Sequence, residues 1–538
     1  MADEFVDDIE DCLPVVGQDP NHRPETLTSR TRAKNIERHG GDVPGDATVF
    51  VHTFGCGHNV SDGEYMAGQL AETGYRITDD FQNADCYLIN SCTVKNPSED
   101  HFVTMMRRAK ATGKPVVVAG CVPQGDPKNP EWADISVIGV RHIDQVAEVV
   151  QDALRGNTTR LMSNETRESI PKLAMKKIRR NKYIEIIPIN VGCLNFCTYC
   201  KTKHARGNLK SWPVEEIVAR VKEVVVEGVR EIRMTSEDTG AYGIDIGTNV
   251  VVLLQEIVKV LEGTDVMLRV GMSNPPYLLR QLEGFAKILL HPNVYEFIHI
   301  PVQSGSNAVL TAMRREYSVE EFYQCVDTFR RIVPKVSIAT DIICAFPGEG
   351  EVEWRETMDL CSTIQFPVLN ISRFYSRRGT PAASMPQVPT DISKRRSAEL
   401  TKLYNSYTCY DDLIGTIHKV HLLEVAHDKH HLVGHTKGYA QVLVDPKEAA
   451  LGDMVWVKVT STSKYSVKAT VIPKPDNAPA TGAVPSLPAA AQDSARTSTQ
   501  VGDSKGRTCR PTYPLLPYAT VAAALVVGGL VFLRSRRS

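Results

Sequence analysis

Short apolar runs alternate with amphipathic stretches from Val49 to Phe374, and the rhythm changes only near Tyr410. Residues 49–54, 86–90, 115–120 and 135–140 read as strands, and helical spacing covers 61–74, 98–110 and 142–154. Strands separated by helices predict a doubly wound parallel sheet over 47–157. The alternation resumes from 183 to 405, with strands expected at 186–190, 231–235, 266–270, 297–302, 336–345 and 368–374. Six strands with intervening helices make a partial (β/α)6 barrel, whose functional face is the carboxyl end of its strands. From 410 to 473 the segments are shorter and alternate with period two, at 420–425, 431–436, 440–444 and 454–459, which predicts a small β-barrel. The fold class is therefore α/β with a β appendix.

The connecting segments differ in composition. Residues 1–46 are polar, acidic at the start and basic from Arg30 to Arg38, and read as a disordered tail. Residues 158–182 form a basic linker, densest in charge over 172–182; it is a solvated hinge or a contact for an RNA backbone. Residues 474–513 are rich in Pro, Ala, Ser and Thr and read as a flexible linker. Residues 514–533 are apolar and uncharged, and Arg534-Ser535-Arg536-Arg537 follow. At about 1.5 Å per residue this run spans roughly 27 Å, enough for a bilayer, and predicts a tail anchor with everything upstream in the cytosol.

Net charge is −1 over 538 residues, so any nucleic-acid contact must use local basic clusters such as 201–210 and Lys394-Arg395-Arg396. Thirteen cysteines in a long chain with an acidic N-terminus and no signal peptide point to a reducing compartment, where thiols bind metals.

Three of those cysteines stand in Cys193-Leu194-Asn195-Phe196-Cys197-Thr198-Tyr199-Cys200. A 4Fe-4S cluster usually takes four cysteines, so three leave one iron open for a small molecule. Three thiolates with His204 also satisfy a Cys3His zinc site. Cys56, Cys92 and Cys121 each lie just past the carboxyl end of an expected strand, so a parallel sheet gathers them along one edge as a second three-cysteine site. Cys86 opens its strand, and Cys325, Cys344, Cys361 and Cys409 have no partner at ligand spacing; all five read as ordinary packed residues.

The octapeptide, together with Gly55-Cys56, Asn90-Ser91-Cys92-Thr93-Val94, Ala119-Gly120-Cys121, Pro301-Val302-Gln303-Ser304-Gly305-Ser306, Met313-Arg314-Arg315 and Thr340-Asp341-Ile342-Ile343, resembles the radical S-adenosylmethionine (SAM) methylthiotransferases over roughly residues 48–473. Ser61-Asp62-Gly63-Glu64-Tyr65-Met66-Ala67-Gly68 and Thr235-Ser236-Glu237-Asp238-Thr239-Gly240 resemble the archaeal and eukaryotic branch, as does the tail anchor. The resemblance implies two 4Fe-4S clusters. Cys193, Cys197 and Cys200 hold the one that cleaves SAM to a 5′-deoxyadenosyl radical; Cys56, Cys92 and Cys121 hold an auxiliary one that carries the sulfur. It implies tRNA as partner, held by a C-terminal module of the TRAM type. The implied reaction is thiomethylation of carbon 2 of threonylcarbamoyladenosine beside the anticodon, at position 37 of tRNAs reading codons that begin with A. It favours the endoplasmic reticulum membrane for the anchor, while the short basic end also suits the mitochondrial outer membrane. The reductant and the sulfur donor are not identified by it. Two departures stand out: the family's Gly-Gly-Glu appears as Thr235-Ser236-Glu237, so only Glu237 carries over as a contact for the SAM amino group, and Ala345 stands before Phe346-Pro347-Gly348-Glu349 where the family has Gly. Related enzymes act on isopentenyladenosine or on a ribosomal-protein aspartate, and a non-catalytic membrane-tethered metal protein is the remaining alternative.

Overall fold

The computed structural model describes residues 46–93, 96–162 and 170–476. The first body contains β1 (Thr48–Thr53), α1 (Gly57–Glu72), β2 (Arg76–Thr78), β3 (Cys86–Ser91), α2 (Asn96–Lys110), β4 (Val116–Gly120), α3 (Cys121–Gly125), β5 (Ser136–Ile138), α4 (Val146–Leu154) and β6 (Arg160–Leu161). Its six strands are all parallel, in the order β2-β1-β3-β4-β5-β6. Alternate side chains of the central strands face opposite layers. Leu88, Val117 and Ala119 pack with Met66, Leu70 and Val149 of α1 and α4. Tyr87, Ile89 and Val118 pack with Phe102 and Met106 of α2. That two-sided burial is why these strands read as continuous apolar runs.

The central body runs β7 (Ile184–Pro188), β8 (Asn190–Val191), α5 (Thr202–Arg206), β9 (Lys210–Ser211), α6 (Val214–Val226), β10 (Glu231–Thr235), α7 (Val250–Leu261), β11 (Met267–Arg269), α8 (Pro275–Leu278), α9 (Leu282–Leu289), β12 (Phe297–His299), α10 (Asn307–Ala312), α11 (Val319–Ile332), β13 (Ser337–Cys344), α12 (Glu351–Ile364), β14 (Val368–Arg373) and α13 (Thr390–Asn405). The six expected strands are present as two parallel three-stranded sheets, β7-β10-β11 and β12-β13-β14. The bridge from Leu268 to Val294 and the bond from Ser273 N–H to His299 C=O join them.

The third element group is a six-stranded sheet of β15 (Ile417–His421), β16 (Glu424–Val425), β17 (Leu432–His435), β18 (Gln441–Val444), β19 (Met454–Thr462) and β20 (Ser466–Ile472), in the order β15-β19-β20-β18-β17-β16. Only β18 and β20 run parallel. Gly434 lets β17 lie against β15, because a Cβ there would meet His421 C=O at 2.2 Å. This sheet covers the amino ends of the barrel strands. Tyr183 O–H, just before β7, donates to Leu451 C=O at 3.1 Å; His421 Nε2 lies 2.8 Å from Asp265 C=O before β11; Glu296 N–H before β12 donates to Lys437 C=O at 2.8 Å. The module therefore sits at the end opposite the cysteine octapeptide.

At this junction His435 is buried and stacked on Tyr439, with ring centroids 4.1 Å apart. Burial holds the imidazole down to about 4, and Glu231 only partly offsets it against Arg233 and Arg269. The unfolded chain therefore binds this proton first, and the contribution of His435 to stability is complete above its unfolded value and lost as pH falls through about 4. His435→Phe is expected to flatten the acid limb of urea unfolding between pH 6.5 and 4 by up to roughly 3 kcal/mol relative to the parent chain.

The basic run at 172–182 is partly buried against carboxylates. The Lys177 side chain is 1% exposed and pairs with Glu185 at 3.1 Å and Glu64 at 3.7 Å. Arg179 pairs with Glu185 and Glu227. Lys177 thus joins the two α/β bodies, Arg179 pairs within the central one, and Lys172, Lys176 and Lys182 remain exposed. Arg396 of the second basic cluster is also buried, on Glu349 at 2.8 Å. Among the described residues no helix is long and apolar enough to cross a membrane. The expected anchor at 514–533 lies outside the described residues, as do nearly all of the 1–46 tail and the 474–513 linker.

Candidate metal centre

The octapeptide begins one turn after β7. Gly192 has φ +82, and a Cβ there would meet Asn208 C=O at 2.2 Å, so only glycine lets the chain double back before Cys193. The loop is then held from several sides. Cys193 N–H donates to Gly207 C=O at 3.2 Å, Thr198 N–H to Met313 C=O at 3.0 Å, and Cys200 N–H to Cys197 C=O at 3.2 Å. Tyr277 O–H donates to Asn195 Oδ1 at 2.7 Å. Phe196 is exposed, with Lys203 Nζ 4.4 Å above its ring, whereas Tyr199 packs edge-on against Phe346.

The three thiols form one electrostatic group. Burial raises Cys193 first, then Asp238, Cys200 and Cys197 add to the rise. Arg315 opposes burial at Cys197, where its Nη1–H donates to Sγ at 3.3 Å. Asp238 is pushed up to about 6 by burial, although its carboxylate accepts from Asn274 Nδ2 at 2.8 Å and from Asn274 and Gly240 N–H at 3.1 Å each. Metal binding requires each of these thiols to lose its proton, and the Arg315 guanidinium favours that form.

In the first body Cys56 caps α1, Cys92 follows β3 and Cys121 opens α3 directly after β4. Two glycines with left-handed φ bring them close. At Gly55 a Cβ would lie 2.5 Å from Cys92 Sγ, and at Gly120 it would lie 2.3 Å from Ser91 C=O. Burial pushes the Cys121 thiol up to about 12, Arg206 opposing and Cys92 adding. Arg377, just past β14, is lowered by burial against Cys200, Glu99 and Cys92, and its Nη1–H donates to Thr93 Oγ1, beside Cys92, at 3.4 Å. Among the described residues no three His, Cys, Asp or Glu side chains are gathered closely enough to hold a single metal ion.

Glu237 already has partners within the protein. Its Oε1 lies 3.2 Å from His58 Nδ1 and 3.0 Å from Arg206 Nε, and its Oε2 accepts from Gly192 N–H at 3.0 Å. Burial alone would raise this carboxyl, but His58 and Arg206 hold it below the usual carboxylate range. Asp341 is polar support inside the barrel, with His299 Nε2 at 3.0 Å and Asn370 Nδ2 at 2.8 Å. Ala345 has φ +63, a left-handed backbone that explains why glycine suits the position. Cys86, Cys325, Cys344 and Cys361 are buried, and Cys409 is half-buried. Sequence reasoning did not single out Asp238, Asn274, His58, Arg206 or Arg377; Asp238, Asn274 and Arg377 were legible as polar residues at strand carboxyl ends, while His58 and Arg206 are placed only by tertiary packing.

Residues 48–137 match the family described as Uncharacterized protein family UPF0004, and residues 187–361 match the Radical SAM superfamily. The chain is 49% identical over 489 residues to the Drosophila melanogaster protein named threonylcarbamoyladenosine tRNA methylthiotransferase, covering 87% of this chain and 88% of that one. The human protein of the same name is 47% identical over 485 residues, covering 87% and 83%. A Pyrococcus horikoshii protein named probable threonylcarbamoyladenosine tRNA methylthiotransferase is 38% identical over 374 residues, covering 69% and 88%. Among solved structures, the radical SAM methyltransferase TsrM from Kitasatospora setae aligns with a TM-score of 0.47 and 14% identity over 62% of this chain and 74% of that one, a likeness too loose to bear on function.

Proposed function

Since the chain belongs to the threonylcarbamoyladenosine tRNA methylthiotransferase family of the radical SAM superfamily, we propose that it thiomethylates carbon 2 of threonylcarbamoyladenosine at position 37 of tRNAs reading codons that begin with A. The observation that carries this reading is the placement of Cys56, Cys92 and Cys121 just past the carboxyl ends of β1, β3 and β4, beside the cysteine octapeptide that follows β8. Carbon 2 of adenine has neither an acidic proton nor a leaving group, so proton transfer alone does not open it. Cys193, Cys197 and Cys200 would hold one 4Fe-4S cluster, and Cys56, Cys92 and Cys121 a second. The donor set fits: all six are soft thiols, which suit iron–sulfur clusters. When bound, the first cluster with SAM supplies a radical able to attack an unactivated C–H bond. Around it, Arg315 favours the thiolate at Cys197, and Asp238 and Asn274 build a polar wall beside Cys193. Glu237 keeps its proposed role toward the SAM amino group on resemblance, because Oε2 accepts one protein N–H and a carboxylate oxygen takes two donors.

The TRAM-like reading of the C-terminal sheet supports tRNA as partner. Because that sheet lies at the amino ends of the strands, an RNA touching both it and the Cys193 loop must reach along the barrel. For location, the uncharged run at 514–533 supports an anchor in the endoplasmic reticulum membrane, with the mitochondrial outer membrane as the competing outcome of imaging.

Mass spectrometry of tRNA nucleosides from cells lacking the protein tests the substrate. Loss of the methylthio form of threonylcarbamoyladenosine, restored by the chain, is expected; loss of methylthio-isopentenyladenosine instead rejects it. Gly55→Ala separates the two sites. Its Cβ would strike Cys92 Cβ at 2.0 Å, so the chain is expected to keep about four irons, those of the Cys193 loop, and to lose the others. Iron analysis of the purified, anaerobically reconstituted protein measures this.

A further inference from the structure

Arg206 ends α5, the short helix that follows the octapeptide. The side chain is 1% exposed. Nη2 donates to Asp62 at 2.7 Å, and Nε lies 3.0 Å from Glu237. The third arm, Nη1, is buried and has no hydrogen-bond partner among the described residues. A buried donor left unpaired costs about 1–3 kcal/mol, so an arm in this state points to an acceptor that the protein itself does not provide.

The surroundings say what that acceptor is. Asp62 belongs to α1, the helix capped by Cys56. α5 packs on α3, the helix opened by Cys121, and Cys121 shares a buried cluster with Ala205, the neighbour of Arg206. Gly125 of α3 sits so close to α5 that a Cβ would meet Lys201 Cε at 3.3 Å. Arg206 thus lies behind two of the three auxiliary cysteines, delivered there by the strap that leaves Cys200. Against the effect of burial, Cys121, Asp62, Glu237 and Cys56 all strengthen its charged state, Cys121 most.

We infer that Arg206 is the built-in counter-ion of the Cys56–Cys92–Cys121 site: its unused Nη1–H and its positive charge are directed at the sulfur ligands there and raise the reduction potential of the cluster they hold. The inference rests on the auxiliary cluster proposed above. Three thiolates make the site anionic, and reduction adds a further negative charge. A buried cation in a low-dielectric site stabilises the reduced state more than the oxidised one, and net charge and hydrogen bonds to sulfur are among the terms that set such potentials. Arg206 is a positioning and tuning residue in this account, not a catalytic one.

The test uses the full chain with Cys193, Cys197 and Cys200 all changed to Ala, so that one site remains. Iron content and a potentiometric titration followed by electron paramagnetic resonance are compared for the native Arg206, Arg206→Lys and Arg206→Gln. Each is expected to keep about four irons. Arg206→Gln is expected to shift the reduction equilibrium at least tenfold toward the oxidised form, about 59 mV for a one-electron couple, and Arg206→Lys to restore most of that shift. Should the Gln chain fail to fold on its unpaired carboxylates, Arg206→Gln with Asp62→Asn removes one of them and carries the same expectation. Loss of iron in both Gln chains but not in the Lys chain supports the charge role as well. An unchanged potential in an iron-replete Gln chain overturns the inference while leaving the auxiliary cluster standing. Absence of iron from the folded chain that retains Arg206 overturns the auxiliary cluster, and the inference with it.

Discussion

Cys193→Ala and Cys56→Ala chains are each expected to leave threonylcarbamoyladenosine in tRNA without its methylthio group, while each keeps about half of about eight irons. The reasoning is geometric. Each triad supplies three thiolates where a 4Fe-4S cluster commonly takes four, so removing one leaves two ligands and no stable cluster. The turns that shape the two triads are separate. Gly192 and the bonds from Thr198 to Met313 and from Cys193 to Gly207 shape the octapeptide. Gly55 and Gly120 shape the approach of Cys92 to its partners. Loss of one triad therefore leaves the other's backbone intact. Product should vanish in both, because radical formation and sulfur supply are both needed for one bond. Nucleoside mass spectrometry and iron analysis of the same preparations check this. Full product from the Cys56→Ala chain, or loss of all iron from either variant, would reject two separate sites, and zinc without iron would reject both.

The largest stability effect is expected at the junction of the barrel with the C-terminal sheet. Arg233 on β10 is buried between two carboxylates, with Nε 2.6 Å from Glu231 and Nη2 3.0 Å from Glu424 on β16. Tyr295 O–H donates to Glu231 at 2.9 Å. Burial pushes Glu424 up and Arg233 opposes it; at Glu231 the same guanidinium outweighs burial and holds the carboxyl below its ordinary range. Arg233→Met removes the guanidinium that pairs with both carboxylates and is expected to cost about 3–5 kcal/mol, a large part of the about 5–15 kcal/mol that folded domains have. The triple chain Glu231→Gln, Arg233→Met, Glu424→Gln is expected to recover most of that loss, since neutral amides pay far less for burial. Urea unfolding midpoints decide between them, and limited proteolysis should release the 410–473 segment sooner in the single variant. A cost below about 1 kcal/mol for Arg233→Met would mean that the pair is screened like a surface bridge and is not a clasp.

The period of the apolar residues alone determined most of the architecture. Leu88, Val117 and Ile89 lie in runs that are buried on both faces, and such runs are legible because every side chain in them is apolar. The places of Cys56, Cys92 and Cys121 just past β1, β3 and β4 were legible for a similar reason: strand ends are readable, and parallel strands bring their carboxyl ends to one edge. Short elements escaped. β2 and β6 are edge pieces of three and two residues with no apolar run, and α3 is a single turn. β20 carried the signal, with buried Val467 and Ala469 alternating with exposed Lys468 and Thr470, yet it was not among the expected strands. Charge was the least legible property. Lys177, Arg206 and Arg396 stand in basic runs that look solvated, but all three are buried against carboxylates from distant parts of the chain. Period and turn chemistry are local and can be read along one strand of sequence. The partner of a charge is set by which elements pack together, and only the tertiary structure decided that Arg206 faces Asp62 and Glu237, that Arg377 reaches Thr93, and that the C-terminal sheet closes the far end of the barrel.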